Sequence, residues 1–402
     1  MIAILIFLGT YFVLAVGRFP GLRVDRTGAA MVGASAMVAA GVLTFNEALE
    51  AVDWPTLVLL LGMMIVVSNL RLSGFFRVVS AWVVRRAHGP LALLAGIVAV
   101  AGVMSALFVN DTMCLVLTPL VLEVTLALRR NPVPYLLAVA MASNAGSTAT
   151  ITGNPQNMVI GSLSRIPYPV FALKLAPVAL ISLLLTFVVI ALIYRREFRG
   201  ERLDAENVLR VRVNQPLMFK SLLVAAAMAA FFLAGWPVAQ TAMVAGAVLL
   251  VTRRVKPEKV YHDIDWPLLA LFAGLFIVVA GVERSSLDED LFAIARRFGL
   301  DRIGVLTFFS ALLSNVVSNV PAVLVFRPVM PQLTDPELGW LTLAMSSTLA
   351  GNFTVVASVA NLIVVQRARH EVKIGFWEYF RAGAPLTVLS LAAGAAWLSW
   401  VH

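Results

Sequence analysis

The chain has 402 residues, of which 60% are apolar and 13% charged, and its mean hydropathy is +0.90. No soluble domain covers that much apolar surface with so few charges, so a water-soluble enzyme or binding module is excluded and an all-α polytopic membrane protein is expected. The net charge of +9 does not point to nucleic acid, because the basic residues fall in short loops between apolar stretches, where they set orientation.

The first apolar stretch, 2–16, has no Lys or Arg before it and no convincing cleavage site after it, so it reads as a retained helix and not a signal peptide. Stretches approaching the roughly 20 residues of a span recur at 27–42, at 55–70 and onward to Trp400. They make about ten spans plus two ambiguous double segments. Arg18, Arg23 and Arg26 share one loop, Glu47, Glu50 and Asp53 occupy the next, and Arg71, Arg77, Arg85 and Arg86 the third. The first and third loops are therefore expected in the cytoplasm, with both chain termini outside a bacterial-type plasma membrane.

Residues 90–128 are apolar with basic residues at both ends, interrupted by Asn110-Asp111-Thr112. The length fits two full spans or a re-entrant hairpin, and in a hairpin Asp111 sits at membrane depth. A second interruption, Ser143-Asn144-Ala145-Gly146-Ser147-Thr148-Ala149-Thr150 through Gly153-Asn154-Pro155-Gln156-Asn157, predicts a broken helix over about 135–163. Arg195, Arg196, Arg199, Arg202, Arg210 and Arg212 mark 195–216 as a cytoplasmic basic linker between halves 1–194 and 217–402.

Beyond the linker the sequence repeats. Positions 53–67 and 265–279 share 9 identities in 15 at an offset of 212, including Asp-Trp-Pro and the glycines Gly62 and Gly274. The loop before Asp53 is acidic, whereas that before Asp265 holds Arg253, Arg254, Lys256 and Lys259. The two halves are thus expected to be inverted-topology repeats, an arrangement that places a binding site where they meet near the midplane. Asp288, Glu289, Asp290, Arg296, Arg297 and Asp301 read as a solvated connector, and Lys174 and Arg381 as snorkelling near helix ends. Ser314, Asn315, Ser318, Asn319 and Pro321 echo the first interruption, predicting a second hairpin over about 302–330. Ser346, Ser347, Thr348, Gly351, Asn352, Thr354, Ser358 and Asn361 echo the second, predicting a broken helix over about 338–366. Broken helices at membrane depth free amide and carbonyl groups that must line a polar cavity. Their N-termini suit an anion, and their carbonyls with Asn, Ser and Thr oxygens suit Na+. Small polar residues also serve ordinary helix packing, but packing alone does not require proline and paired glycines at corresponding breaks.

Other chemistries lack their residues. Cys114 is the single cysteine, and no Cys/His spacing fits a structural metal. His88, His262, His370 and His402 fall in loops or at the terminus, away from any nucleophile. Neither a nucleotide-binding glycine loop nor a channel filter motif occurs. No cofactor, nucleic-acid partner or enzymatic activity is expected.

These motifs resemble the ion transporter superfamily, which includes arsenite permeases, NhaD-type sodium/proton antiporters, the melanosomal P protein and divalent-anion/sodium symporters. Asn110-Asp111 followed by Leu117-Thr118-Pro119-Leu120-Val121 resembles the arsenite-permease hairpin, and 143–157 resembles the P-protein and citrate-permease signature. The resemblance implies a re-entrant hairpin and a discontinuous helix in each half, and often a homodimer. In the divalent-anion symporters a Ser-Asn-Thr motif at each hairpin tip binds Na+ and substrate carboxylate. Asn110, Thr112, Ser318 and Asn319 are the matching positions here, while Val109 stands in place of the serine and Pro321 in place of a threonine.

The expected function is secondary active transport of a small anion, an organic carboxylate or inorganic oxyanion, coupled to Na+ or H+ by alternating access. Competing readings are an arsenite efflux permease and a Na+/H+ antiporter. The candidate substrate and ion site comprises Asn110, Asp111, Thr112, Ser143, Asn144, Gly146, Ser147, Thr148, Thr150, Asn154, Asn157, Ser314, Asn315, Ser318, Asn319, Gly351, Asn352, Thr354, Ser358 and Asn361. Na+ is placed among Asn110, Asp111, Ser143, Asn144, Ser318 and Asn319.

Overall fold

The computed structural model describes residues 1–16, 24–199, 213–252, 255–284 and 298–402, and among them every regular element is helical. The first half holds α1 (Ile2–Val16), α2 (Arg26–Ala39), α3 (Phe45–Ala51), α4 (Trp54–Ser73), α5 (Phe75–Arg86), α6 (Pro90–Leu107), α7 (Asn110–Ala127), α8 (Pro132–Ser147), α9 (Pro155–Ser164) and α10 (Tyr168–Ile193). A short α11 (Arg195–Phe198) follows. The second half holds α12 (Gln215–Leu233), α13 (Val238–Leu250), α14 (Pro257–Tyr261), α15 (Trp266–Glu283), α16 (Ile303–Val317), α17 (Asn319–Phe326), α18 (Pro336–Ala350), α19 (Val359–Ala368) and α20 (Phe376–Val401). Among the described residues seven helices, α4, α6, α7, α10, α12, α15 and α20, have the length and hydropathy to cross a bilayer. The broken pairs α8–α9 and α18–α19 each supply one interrupted crossing.

The Asp-Trp-Pro repeat is a helix start. Asp53 accepts from the Thr56 N–H at 3.3 Å and Asp265 from the Leu268 N–H at 3.0 Å. The proline fits the first turn, where no N–H partner is lost. Gly74, at φ +88°, closes α4 in the left-handed conformation that glycine adopts without cost.

The repeats interlock. A Cβ on Gly62 of α4 would lie 2.6 Å from the Ala242 carbonyl of α13, and one on Gly274 of α15 would lie 2.8 Å from the Ala30 carbonyl carbon of α2. Gly62 and Gly274, like Ala30 and Ala242, are 212 residues apart. Each half therefore lays its second helix against the other half's matched glycine. Gly281 meets Met37 further along α15, and Thr27 donates to the Pro267 carbonyl where both helices begin, so α2 and α15 run parallel. The chain returns from α2 to α4 through the connection holding α3, so α4 opposes α2, and its counterpart α15 opposes α4. The ends are tied by two ion pairs between the halves, Arg71 with Asp263 and Arg284 with Glu47. Gly62→Val or Gly274→Val is expected to cost about 1–3 kcal/mol by overpacking, seen as a lower melting temperature in detergent. Gly9→Val, in open space, is expected to leave that temperature unchanged.

The two apolar double segments are hairpins whose tips stop at the level of the helix breaks. Asn110, at the α6–α7 tip, reaches Asn144 of α8, and Ser314, before the α16–α17 tip, reaches the Ser347 carbonyl of α18. The descending arm α17 has only 8 residues, about 12 Å of helix. The tip residue Ser318 adopts φ +82°, a strained conformation for a residue with a Cβ.

Lys174 and Arg381 do not snorkel freely. Lys174 pairs with Glu337 at 2.8 Å, and Arg381 donates to the Ile193 carbonyl at 3.1 Å over the Tyr194 ring, because α10 and α20 lie antiparallel side by side and bring each cation to a partner at the neighbouring helix end. Asp301 likewise accepts from the Thr334 N–H at 2.8 Å. Arg18, Arg23, Arg202, Arg210, Arg212, Arg253, Arg254, Asp288, Glu289, Asp290, Arg296 and Arg297 lie outside the described residues.

Candidate functional site

Each broken helix is closed over its own gap by one asparagine. Between α8 and α9 the chain makes a 3-10 turn, Ile151–Gly153, and the Asn157 amide donates to the Ser147 carbonyl at 3.2 Å and the Thr150 carbonyl at 3.0 Å. Between α18 and α19 the turn is Val355–Ala357, and the Asn361 amide donates to the Gly351 carbonyl at 2.6 Å and the Thr354 carbonyl at 3.0 Å. The Ser147 and Gly351 carbonyls are orphans of the helix breaks, which burial obliges to find donors, while the Thr150 and Thr354 carbonyls also accept from the Gly153 and Ala357 N–H groups of the turns. Asn154 caps α9 through the Asn157 N–H at 2.8 Å. Ser358, at the matching start of α19, makes no such cap.

The halves are joined by amide bonds across this centre. Asn144, 1% exposed, accepts from Asn110 at 3.0 Å and donates to Asn352 at 2.9 Å and Asn361 at 3.1 Å. Thr348, its counterpart at an offset of 204, accepts from Asn154 at 3.2 Å and Gln156 at 3.1 Å. Asn319, with its amide oriented to satisfy both ends, donates to the Ser347 and Ala357 carbonyls and accepts from Gln156 at 3.2 Å. Tyr11 of α1 fixes the second tip by donating to the Pro321 carbonyl at 3.0 Å.

A cavity of about 70 Å³ lies where both hairpin tips and both second-segment N-termini converge. Asn110 and Asp111 face it from the first tip, Ser318–Pro321 from the second, Pro155 and Gln156 from α9, and Ser358 and Val359 from α19. Its remaining wall is Leu14 of α1, Arg26 of α2 and Leu268, Leu271 and Phe272 of α15. The Asp111 carboxyl faces the Ala360 N–H, so it stands at the α19 N-terminus that Ser358 leaves uncapped. The buried Asn110 Oδ1 has no hydrogen-bond partner. An acceptor oxygen and a carboxyl group in one small cavity can take up a cation, a proton or a hydroxyl-bearing solute. Larger grooves, 490 Å³ between α12 and α13 and 360 Å³ between α1 and α2, are apolar and open outward.

Of the residues singled out in the sequence, Asn110, Asp111, Ser318, Asn319 and Ser358 meet in the cavity. Asn144, Ser147, Thr148, Asn154, Asn157, Ser314, Gly351, Asn352, Thr354 and Asn361 form the network behind it. Ser143 is buried with its hydroxyl unpartnered, outside the cavity lining. Thr112 stands outside the lining, Thr150 donates to the Ala106 carbonyl, and Asn315 donates to the Ala311 and Ala350 carbonyls. Gly146 is a packing residue: a Cβ there would lie 2.1 Å from the Gly102 carbonyl oxygen of α6. Arg26 and Tyr11 were not anticipated. Arg26 counts as an ordinary loop cation in a charge tally, and only its mismatch with Val238, 212 residues on, sets it apart.

The chain matches the citrate transporter family model over residues 10–350. It is 32% identical to the uncharacterized transporter Rv2685 of Mycobacterium tuberculosis, over 100% of this chain and 98% of that protein. It is 28% identical to the silicon efflux transporter LSI3 of Oryza sativa subsp. japonica, over 96% of this chain and 95% of the other. The putative transporter arsB of Dictyostelium discoideum is 22% identical over 93% and 87%. The fold is shared with the Alcanivorax borkumensis YdaH transporter, described as having an unusual topology, at a TM-score of 0.65 and 17% identity, covering 100% of this chain and 96% of that one. With the full-length relatives, the family match and the interlocked helical repeats in agreement, the chain is a multi-pass membrane transporter that belongs to the citrate transporter family.

Proposed function

We propose that the chain is a secondary transporter for a small inorganic oxyacid or its anion, working in a plasma membrane and coupled to H+ or Na+ through Asp111. The observation that carries this reading is the content of the cavity: one carboxyl group at an uncapped helix N-terminus beside one unpartnered amide oxygen. A cation or proton satisfies both, and an oxyacid presents hydroxyl donors to the same oxygens. Size supports a small cargo. At roughly 10–15 Å³ per water-sized probe, 70 Å³ takes about five to seven heavy atoms, so a tricarboxylate needs the cavity to widen. The name of the rice relative, a silicon efflux transporter, agrees with an oxyacid cargo.

The test is flux in liposomes holding the purified full chain, under imposed Na+ and pH gradients, with silicic acid, arsenite, phosphate, sulfate, succinate and citrate offered in turn and internal pH recorded. Gradient-driven movement of an inorganic oxyacid is expected. Saturable movement of citrate or succinate alone overturns the cargo assignment. A Na+-dependent pH change with no solute moving makes the chain a sodium/proton antiporter, a reading the isolated carboxyl of Asp111 also favours.

A further inference from the structure

The two halves differ in how they meet the cavity. On one side α9 packs along α4, and Ser162 of α9 donates to Asp53 at 2.9 Å. On the other side α19 does not pack on α15 in this way, and Asp265, the match of Asp53, accepts only from its own helix's Leu268 N–H among the described residues. The cavity fills that gap, so the conformation is one of a pair: exchanging the arrangements of the two repeats closes the site against α15 and opens it against α4.

Arg26 lines the open side. Its guanidinium is partly buried and has no hydrogen bond or ion pair among the described residues, an arrangement that is costly unless a ligand supplies the opposite charge. The match of Arg26 in the other half is Val238, the first residue of α13. After exchange the cargo therefore faces Val238 where it had faced Arg26. Resting on the transport reading above, we propose that Arg26 recognises the negative charge of an oxyanion cargo in one access state only, which gives the carrier unequal affinities on its two faces.

The experiment uses the full chain in sealed right-side-out and inside-out membrane vesicles, with phosphate as a charged probe and arsenite as an uncharged one. Arg26→Gln is expected to raise the KM for phosphate about ten- to a hundredfold on one face, the loss of one charge-assisted contact. The KM for phosphate on the other face is expected to stay unchanged, and the KM for arsenite to rise by less than that for phosphate on the affected face. Arg26→Lys should restore most of the lost affinity. Val238→Arg should lower the KM for phosphate on the opposite face. It decides the matter by itself if Arg26→Gln fails to insert, since an unchanged KM in that variant overturns the proposal. Equal effects of Arg26→Gln on both faces, no effect on either, or wild-type transport of arsenite without phosphate also overturn it. If the wild type carries neither probe under any gradient, the Arg26 inference is overturned, whereas the small-oxyacid reading fails only if silicic acid and sulfate do not move either.

Discussion

Replacing Asp111 with Asn is expected to reduce gradient-driven accumulation of the cargo to the level of empty liposomes while leaving the chain inserted and folded. The substitution keeps the volume and one carbonyl oxygen facing the Ala360 N–H, so the α19 N-terminus retains its acceptor. What is lost is the charge. A carboxylate at membrane depth costs at least about 2.5–3.5 kcal/mol. The neutral variant should therefore melt at the same or a higher temperature in detergent while losing coupling. That opposite movement of stability and activity separates a functional carboxyl from a structural cap. A purely capping Asp111 predicts a lower melting temperature with coupled transport intact, and that result would remove Asp111 from the mechanism.

The repeat was legible because it is written in residues that do local work. Asp53 and Asp265 cap helices, the prolines after them suit a first turn, and Gly62 and Gly274 admit a neighbouring backbone. Which backbone they admit was not legible. An all-apolar helix carries no amphipathic stripe to say which face meets which partner, so the crossing of α2 onto α15 and of α13 onto α4 emerges only in three dimensions. The charge tally left open whether 90–128 makes two spans or a hairpin. The contact between Asn110 and Asn144 brings the tip level with the break of the following helix, the geometry of a hairpin.

Within the site, the asparagines were legible because an amide inside apolar sequence has few other reasons to be there. Sequence could not separate those facing the cavity from those stitching the backbone: Asn157 and Asn361 hold their own breaks closed, and only Asn110 and Asn319 reach the cavity. Gly146 was read as part of the site, yet its role is the close approach of α8 to α6. Small residues serve binding and packing alike, and the sequence holds no signal that distinguishes the two.

Asn144→Ala is expected to be the most damaging single truncation of an uncharged residue in the centre. One side chain there accepts from Asn110 and Ser358 and donates to Asn352 and Asn361, so its loss leaves buried polar atoms on four partners without a bond they had. At about 1–3 kcal/mol for each buried group left unsatisfied, the variant should lose at least about 3 kcal/mol, with transport abolished because the first hairpin tip is no longer held against the second half. Thermal unfolding in detergent measures the first effect and liposome flux the second. The pairing with Asn361 supplies the sharper check. Asn361 also holds its own helix break through Gly351 and Thr354, so Asn361→Ala should be destabilising by itself. In the double variant Asn144→Ala, Asn361→Ala the shared bond is lost only once, so the combined cost should fall short of the sum by about 0.5–3 kcal/mol. A strictly additive cycle would mean that the two asparagines act independently, and that the halves are held together by helix packing without this amide bond.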